Sequence, residues 1–530
     1  MSWLGRCVPI TLACLGFVAV APAFATPNDE LAVGDPLESE LRWLEVEGGA
    51  RGVRTLRLPH LGTRPVTLGE LAPRGRTSDS IAATDARYSA PSASLAERRV
   101  ARWLARDYPV LAALGGRRTT HRFVQAASTD DEYFDASLGV EGSGLVARNR
   151  APRLTSGSGA HLRFSAGLDG WLMHSHLVVG RFDGARRFAD PIIKGSDATT
   201  LTEESALLYS GRGGRWGIRF GRGRVHWGPG DEASLLLSKT SAPFTALIMR
   251  GSFKHWGLHA VALSATLDAS AGEQLAAHRL EWEPHPGVRF GLSEAARYQS
   301  ESWQPIYLSG AVPYVLAQRL LVQDEPDSSQ SLRNNVLFGL DAAWRVAPGT
   351  RVYGELLLDD VNASGAGNPD KIGWQLGWEG VGEVRGQRVT WNTEFTRVSR
   401  FVYTSFFGRS FEAQQAPLGF PSGPESRRLR ARVGWDPHPD WQLGVIASRT
   451  DAGESDLQVA FVPGSRRPSP WEFAGVVERT RSIEAMLRYW PASGFDLQLF
   501  AGIERIDGAE HVEGARANQG FAGLTVRLLR

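Results

Sequence analysis

The feature that most constrains this chain is a rhythm of two. Between Arg428 and Trp435, Leu429, Ala431, Val433 and Trp435 fall on one side, and Arg428, Arg430, Arg432 and Gly434 on the other. Side chains alternate across a strand, so this segment has an apolar face and a cationic face. The pattern recurs. Phe495, Leu497, Leu499, Ala501 and Ile503 oppose Asp496, Gln498, Gly502 and Glu504. Val336, Phe338, Leu340, Ala342 and Trp344 oppose Gly339, Asp341 and Arg345, and Trp216, Ile218 and Phe220 oppose Gly217, Arg219 and Gly221. The change from helical to two-residue period falls near residue 160.

The strands are joined in a regular way. Trp282, Trp344, Trp435 and Trp490 each close an alternating run and lead into a tight Pro-containing connection: Glu283 to Gly287, Arg345 to Gly349, Asp436 to Asp440, Pro491 to Gly494. Long polar connections over 182–203, 299–331, 359–371, 399–427 and 450–480 alternate with them. Short turns on one side, long loops on the other and aromatics at the strand ends predict a transmembrane antiparallel β-barrel, its apolar face to lipid and its polar face to the lumen. A soluble β-sandwich or propeller also alternates. Trp recurring at the turns and Arg and Glu on the inward face favour the barrel. The ending Leu528-Leu529-Arg530 counts against it, since many outer-membrane strands finish on an aromatic residue.

The start of the chain reads differently. Arg6, the apolar run Val8 to Val20 and Ala23-Phe24-Ala25 read as a signal peptide over 1–25, with a mature chain beginning at Thr26. Cys7 and Cys14 lie inside it, so the mature chain is expected to carry no disulfide and no Cys-ligated metal. A lipoprotein anchored through Cys14 is the rival reading, with Thr11-Leu12-Ala13 a poor approach to it. No later run of 18 apolar residues occurs, which leaves no spanning helix.

Residues 26–125 read as a small, mainly helical module. Asp35-Pro36 starts a helix with Leu37, Leu41 and Leu44 on one face. Thr67 and Glu70 resemble a capping box, Ser94 to Asp107 forms a second helix with Leu95, Trp103 and Leu104 apolar, and Pro109 stops it. A short strand is expected near Val53 to Leu58, with a Pro/Ser/Arg-rich link over 73–94. The barrel then occupies 126–530.

A formal net charge of +2 gives no basic excess for a nucleic-acid backbone. No HExxH, GxSxG or Walker loop is present, so no catalytic residues, cofactor or metal are assigned. His174 and His176 share a strand face, a spacing that suits a metal but more often belongs to a polar lumen. Asp359-Asp360 lies where a strand enters a loop, and solvation accounts for it. The sharpest local motif runs from Arg219 to Leu237, RFGRGRVHWGPGDEASLLL. Its glycines permit unusual backbone angles, and no Lys-Ser/Thr follows to make a phosphate cradle.

The segment His226-Trp227-Gly228-Pro229-Gly230-Asp231-Glu232-Ala233-Ser234-Leu235, with Ala242-Pro243-Phe244-Thr245 and Met249-Arg250 after it, resembles the Wzi capsule-assembly family. Leu41-Arg42-Trp43-Leu44, Val402-Tyr403-Thr404 and Pro417-Leu418-Gly419 add to the likeness. The chain departs from the enterobacterial pattern in its His-Trp turn and Arg-rich loops. The resemblance implies an outer-membrane barrel of about eighteen strands with the helical module on the periplasmic side. It also implies a non-catalytic surface lectin, a monomer in outer-membrane lipid, that binds or organises capsular or other surface polysaccharide. His226, Trp227, Gly228, Pro229, Gly230, Ser234 and Arg250 are the family-motif residues.

Sugar binding needs flat apolar faces, and Arg suits acidic sugars. Trp303, Tyr307, Arg400, Tyr403, Phe406, Phe407 and Arg409 in the long loops are the candidates, with Phe401 and Arg397 beside them. Each aromatic also suits a barrel rim. Two other functions stay open. One is a porin or transporter passing acidic solutes along Arg428, Arg430 and Arg432. The other is a membrane-embedded hydrolase, for which no Ser–His or Asp–His spacing speaks.

Overall fold

The computed structural model describes residues 30–31, 33, 36–48, 61–67, 94–100, 124–129, 132–148, 154–168, 171–182, 190–191, 198–211, 215–253, 255–320, 334–360, 369–405, 409–462, 465–491 and 495–529. Eighteen long strands form one closed antiparallel barrel. They are β1 Glu132–Arg148, β2 Leu154–Leu168, β3 Trp171–Phe182, β4 Ala198–Ser210, β5 Trp216–Gly223, β6 Phe244–Phe253, β7 Leu258–Asp268, β8 Glu273–His285 and β9 Val288–Gln299. There follow β10 Asn335–Ala347, β11 Thr350–Asp360, β12 Lys371–Val384, β13 Gln387–Val398, β14 Ser426–His438, β15 Trp441–Ala452, β16 Glu478–Tyr489, β17 Phe495–Asp507 and β18 Arg516–Leu529. Each pairs with its sequence neighbour, and β18 closes on β1 through Leu529↔Gly139 to Gly520↔Arg148. Closure therefore needs no terminal aromatic, which disposes of the objection raised by Leu528-Leu529-Arg530.

The alternation decides which way each strand faces. Leu429, Val433 and Trp435 of β14 are exposed on the outer wall, as are Trp216, Ile218 and Phe220 of β5. Arg219 is buried in the lumen. Short turns gather at one rim, where Trp171, Trp216, Trp282, Trp344, Trp378, Trp435 and Trp441 form an exposed aromatic girdle. Long loops gather at the other rim. The long strands begin at Glu132, preceded by a six-residue strand, Val124–Thr129, that pairs with β1, and not near residue 160. In β1 the outward series Phe134, Ala136, Leu138 and Val140 does alternate, but it lapses at Gly142 and Gly144, so the rhythm is interrupted soon after it starts. No helix among the described residues is long and apolar enough to cross a membrane.

Of the N-terminal residues, helix α1 spans Pro36–Glu47, and residues 95–100 form a second helical stretch. Ser94 and Glu97 cap that stretch reciprocally. Ser94 N donates to Glu97 at 2.6 Å, and Glu97 N donates to Ser94 Oγ at 3.2 Å. Thr67, expected in such a box, instead ends the two-residue strand Val66–Thr67, and Glu70 lies outside the described residues. So do the expected strand near Val53 to Leu58, the 73–93 part of the link, the signal segment 1–25, and Trp103 and Leu104.

Candidate functional site

Three layers of chain fill the lumen against the β5–β14 wall. The first is α1, at the short-turn rim. Leu37, Leu41 and Leu44 are buried, but so are Glu38, Glu40, Arg42 and Glu45. A helix with charges on most sides is stable here because Glu40, Arg42 and Glu45 meet partners on the lumen wall, and Glu38 meets Arg64 and Lys239. Arg388 of β13 grips Glu40 with a fork at 2.6 and 2.8 Å, and Arg99 adds a contact at 3.0 Å. Arg42 donates to Glu379 of β12 at 2.8 Å. Glu45 meets Arg289 of β9 at 2.8 Å and Arg351 of β11 at 2.7 Å. Gly349, in the β10–β11 turn, donates its amide to Val46 O at 3.0 Å, satisfying an end carbonyl of the helix.

Burial opposes the charge on Glu40, but Arg388 and Arg99 outweigh it and hold the carboxyl below its ordinary range. Glu45 behaves alike, through Arg289, Arg351 and Arg42. Glu47 forms no such ion pair among the described residues. Burial pushes it up to about 7, and a hydrogen bond from Ser94 offsets this only in part.

The second layer is the 224–243 loop between β5 and β6, which turns inward because β5 stops at Gly223. Its His226–Trp227 pairs with Thr63–Arg64 as a two-stranded ribbon. Glu355 of β11 organises the turn that follows. Its carboxylate accepts Gly230 N at 3.0 Å, Leu235 N at 2.8 Å and the Ser234 hydroxyl at 2.8 Å. Asp231 N donates to Glu394 of β13 at 2.8 Å. Gly228 sits at φ +136°, and a Cβ there would run into Glu355 and Ser234. Trp227 is buried in an apolar cluster with Leu235, Leu236 and Leu237. Glu232 reaches back to Arg428 at 3.1 Å and Arg430 at 3.0 Å, so the arginine row of β14 is bridged to the inner loop.

Among the motif residues no nucleophile–base pair forms. The Ser234 hydroxyl is engaged by Glu355 and the Trp227 carbonyl. His226 accepts Lys239 N on Nδ1 at 3.2 Å, and burial beside Arg64, Lys239 and Arg42 keeps it neutral, well below its ordinary range. Arg250 lies apart from the turn, on β6, cross-strand to Gly217 and Val261.

The third layer is the 399–425 loop at the long-loop rim. Val402, Tyr403, Phe411, Leu418 and Phe420 are buried and pack on the inner loop. Tyr403 Oη donates to Leu235 O at 2.6 Å and accepts Phe420 N at 3.0 Å. Phe401 and Tyr403 adopt left-handed φ of 69° and 70°. Such angles cost roughly 1–2 kcal/mol each in non-glycine residues and mark a tightly determined loop. Glu425 ties this loop to the next one. Its carboxylate accepts Ser455 N at 2.8 Å and also Ala474 N, and its carbonyl accepts Gly453 N at 3.0 Å. Arg400 N donates to Pro470 O at 3.1 Å across the same seam.

The sequence candidates separate in this frame. Arg400, half-buried, lies beside Phe401 with its guanidinium 4.9 Å from the ring centre, and its Nε donates to Ser455 Oγ at 3.1 Å. Arg409 Nη2 donates to Gln299 at 2.7 Å on the surface. Tyr403 and Tyr307 are fully buried and offer no open face. Tyr307 stacks on Tyr298 at 4.7 Å. Trp303 is half-buried on the outer wall, donating to Thr266 at 3.1 Å and edge-on to Phe220 at 6.4 Å. Phe406 and Phe407 lie outside the described residues. Sequence reasoning missed Trp471 and Phe473 of the 453–477 loop, which lie against Arg397 with ring centres 5.9 and 4.2 Å from its guanidinium. The Trp471-Glu472-Phe473 triplet in a loop otherwise read as polar was the available signal.

His174 contacts Glu204 at 3.5 Å, and His176 contacts His161 at 2.9 Å, on the lumen wall of β2–β4. No cluster of three or more His, Cys, Asp or Glu able to hold a metal ion occurs among the described residues.

With this geometry in hand, known proteins give a consistent comparison. The fold is similar to that of Wzi from Escherichia coli, described as an outer-membrane protein involved in group 1 capsule assembly and a carbohydrate-binding β-barrel. Identity is 14%, 94% of this chain and 99% of that chain are covered, and the TM-score is 0.58. Pseudomonas aeruginosa OprD is less similar, with 11% identity, coverage of 78% and 98%, and a TM-score of 0.43. Acinetobacter baumannii OccAB1 gives 9% identity, 75% and 96%, and 0.43. The comparison with curated proteins gives no match. The family model for capsule assembly protein Wzi matches residues 153–520, most of the barrel including the inner-loop turn. This chain is an outer-membrane β-barrel and belongs to the Wzi capsule assembly family.

Proposed function

We propose that this protein is a non-catalytic surface lectin that binds or organises capsular or other surface polysaccharide, acting as a monomer. Residues 26–125 serve as a periplasmic module, and its helix α1 stoppers the barrel at the short-turn rim. The observation that carries this reading is a packed outer-loop platform resting on a filled lumen. The 399–425 and 453–477 loops are locked by Glu425 and rooted on the inner loop through Tyr403. A preformed surface binds without an ordering cost. Arg400, Arg409 and Trp471 supply guanidinium and aromatic groups there. Family membership and the carbohydrate binding of the E. coli protein support the same reading.

The test is binding of the mature protein to purified surface polysaccharide from the same cells. Arg409→Ala is expected to weaken binding about tenfold, since one charge-assisted hydrogen bond contributes roughly 1.5–3 kcal/mol. Glu425→Ala, which unlocks the platform, is expected to weaken it further. Unchanged binding in both variants, a large steady single-channel current, or cleavage of the polysaccharide would refute the reading.

A further inference from the structure

The outer wall of β14–β18 carries an ordered array of charge just below the long-loop rim. Strand register sets it out in rows. The upper row is Arg427, Asp451, Arg479, Asp507 and Arg516, alternating in sign across five strands. The row beneath is Leu429, Arg449, Arg481, Arg505 and Asn518, three arginines side by side with no carboxylate among them. Under these come Ala431, Ala447, Ile483, Ile503 and Gly520, then Val433, Val445, Ala485, Ala501 and Ala522.

The two aspartates are shared. Asp451 lies 3.1 Å from Arg449 and 3.2 Å from Arg479, and also contacts Arg427. Asp507 lies 3.6 Å from Arg481, 3.2 Å from Arg505 and 3.6 Å from Arg516. Six guanidiniums thus face two carboxylates. Like charges directly opposite on paired strands repel, so the shared aspartates leave the middle row with a positive surplus that a further anion would offset. Side-chain exposures of 44, 47 and 52% for Arg449, Arg481 and Arg505 leave them accessible.

Directly below the arginines lies a groove of about 800 Å³. Its floor is small, with Ala431, Ala447 and Gly520, and its walls are Leu429, Ile483 and Ile503. Elsewhere the chain covers charges at this height itself. Glu294 on the outer face of β9 is buried under Tyr314 and Val315, whose amides it accepts at 2.7 and 3.1 Å, and Arg397 of β13 lies under Phe473. No described segment covers the arginine row.

We propose that this wall is a binding site for a phosphorylated, multiply acylated glycolipid of the outer leaflet. Each aspartate-centred group of three arginines carries a surplus of two positive charges, and a phosphate monoester carries about −1.5 to −2. The groups are centred two strands apart, roughly 10 Å. Two phosphates on one headgroup match them, with acyl chains descending into the groove of small residues. The groove is what selects an acylated ligand over a free anion or an acidic polymer.

The experiment measures glycolipid retained by the purified full chain, by native mass spectrometry and assay of bound hydroxy-acyl chains. Probes are diphosphoryl lipid A, its dephosphorylated form, phosphatidylglycerol, inorganic phosphate and acidic surface polysaccharide. Combined Arg449→Ser, Arg481→Ser and Arg505→Ser should lower lipid A retention at least roughly tenfold, with heat-modifiable gel mobility showing the barrel still folded. Ala447→Trp fills the groove and leaves every arginine in place. It should also lower lipid A retention, several-fold. The proposal is overturned if folded triple variant retains lipid A like the wild type, or if the dephosphorylated form binds as well. It is equally overturned if phosphatidylglycerol, inorganic phosphate or the acidic polysaccharide displaces lipid A at equal concentration.

Discussion

Replacing Glu355 with alanine removes the acceptor on which the inner loop turns. Three donors lie 3.0, 2.8 and 2.8 Å from its carboxylate: Gly230 N, Leu235 N and Ser234 Oγ. In the variant the Ser234 hydroxyl keeps the Trp227 carbonyl, but the two amides lose their buried partner. Each such loss costs about 1–3 kcal/mol, so the docked loop is weakened by about 2–6 kcal/mol. At about 1.4 kcal/mol per factor of ten, its opening becomes roughly 30- to 10⁴-fold more frequent. Amide hydrogen exchange reads this directly. The Trp227 amide, bonded to Leu237 O at 2.9 Å, and its neighbours in 224–238 should exchange faster by that factor. Amides of β1 and β18, which have no described contact with the loop, should not change. Gly228→Ala attacks the same contact from the other side, because its Cβ would collide with Glu355 and Ser234. It should produce the same local pattern. Exchange in 224–238 that stays within about threefold of the wild type in Glu355→Ala would refute the claim that this carboxylate holds the loop in the lumen.

Glu40→Ala leaves Arg388 and Arg99 facing each other, with Asp436 their one remaining common carboxylate among the described contacts. Breaking one side of a buried ion pair costs roughly 3–5 kcal/mol, so α1 should leave the lumen and single-channel current should rise; an unchanged current would count against α1 as a stopper. Glu47 tests pH. Its folded pKa of about 7 lies above its ordinary 4.5, so the folded state holds the extra proton between these values. That stability is fully present below about 4.5 and is lost as pH rises through 7. Glu47→Gln should flatten this part of the thermal stability profile, and an identical slope in wild type and variant would contradict it. Glu40 acts in the opposite sense: its folded pKa is depressed, so its contribution is present above the ordinary carboxylate range and is lost as pH falls.

What the sequence determined by itself was everything that is local. Alternation along Leu429 to Trp435 named the lipid face, and Trp–Pro turns named one rim, because both follow from a repeat of two residues and the chemistry of a tight connection. The Trp-Gly-Pro-Gly turn was legible as a special backbone for the same reason. The filling of the lumen was not. Arg42 and Glu379 are 337 residues apart, and Ser234 and Glu355 are 121 apart. Nothing in either neighbourhood announces its partner, since a charged inward residue looks the same whether it meets water, an ion or a plug. Tyr403 and Tyr307 show the converse: a loop aromatic reads as a surface platform until packing buries it. The row Arg449, Arg481 and Arg505 exists only because the register of three strands brings one residue from each to the same height. Register is set by hydrogen bonding between strands and by barrel closure, and so belongs to the tertiary structure alone.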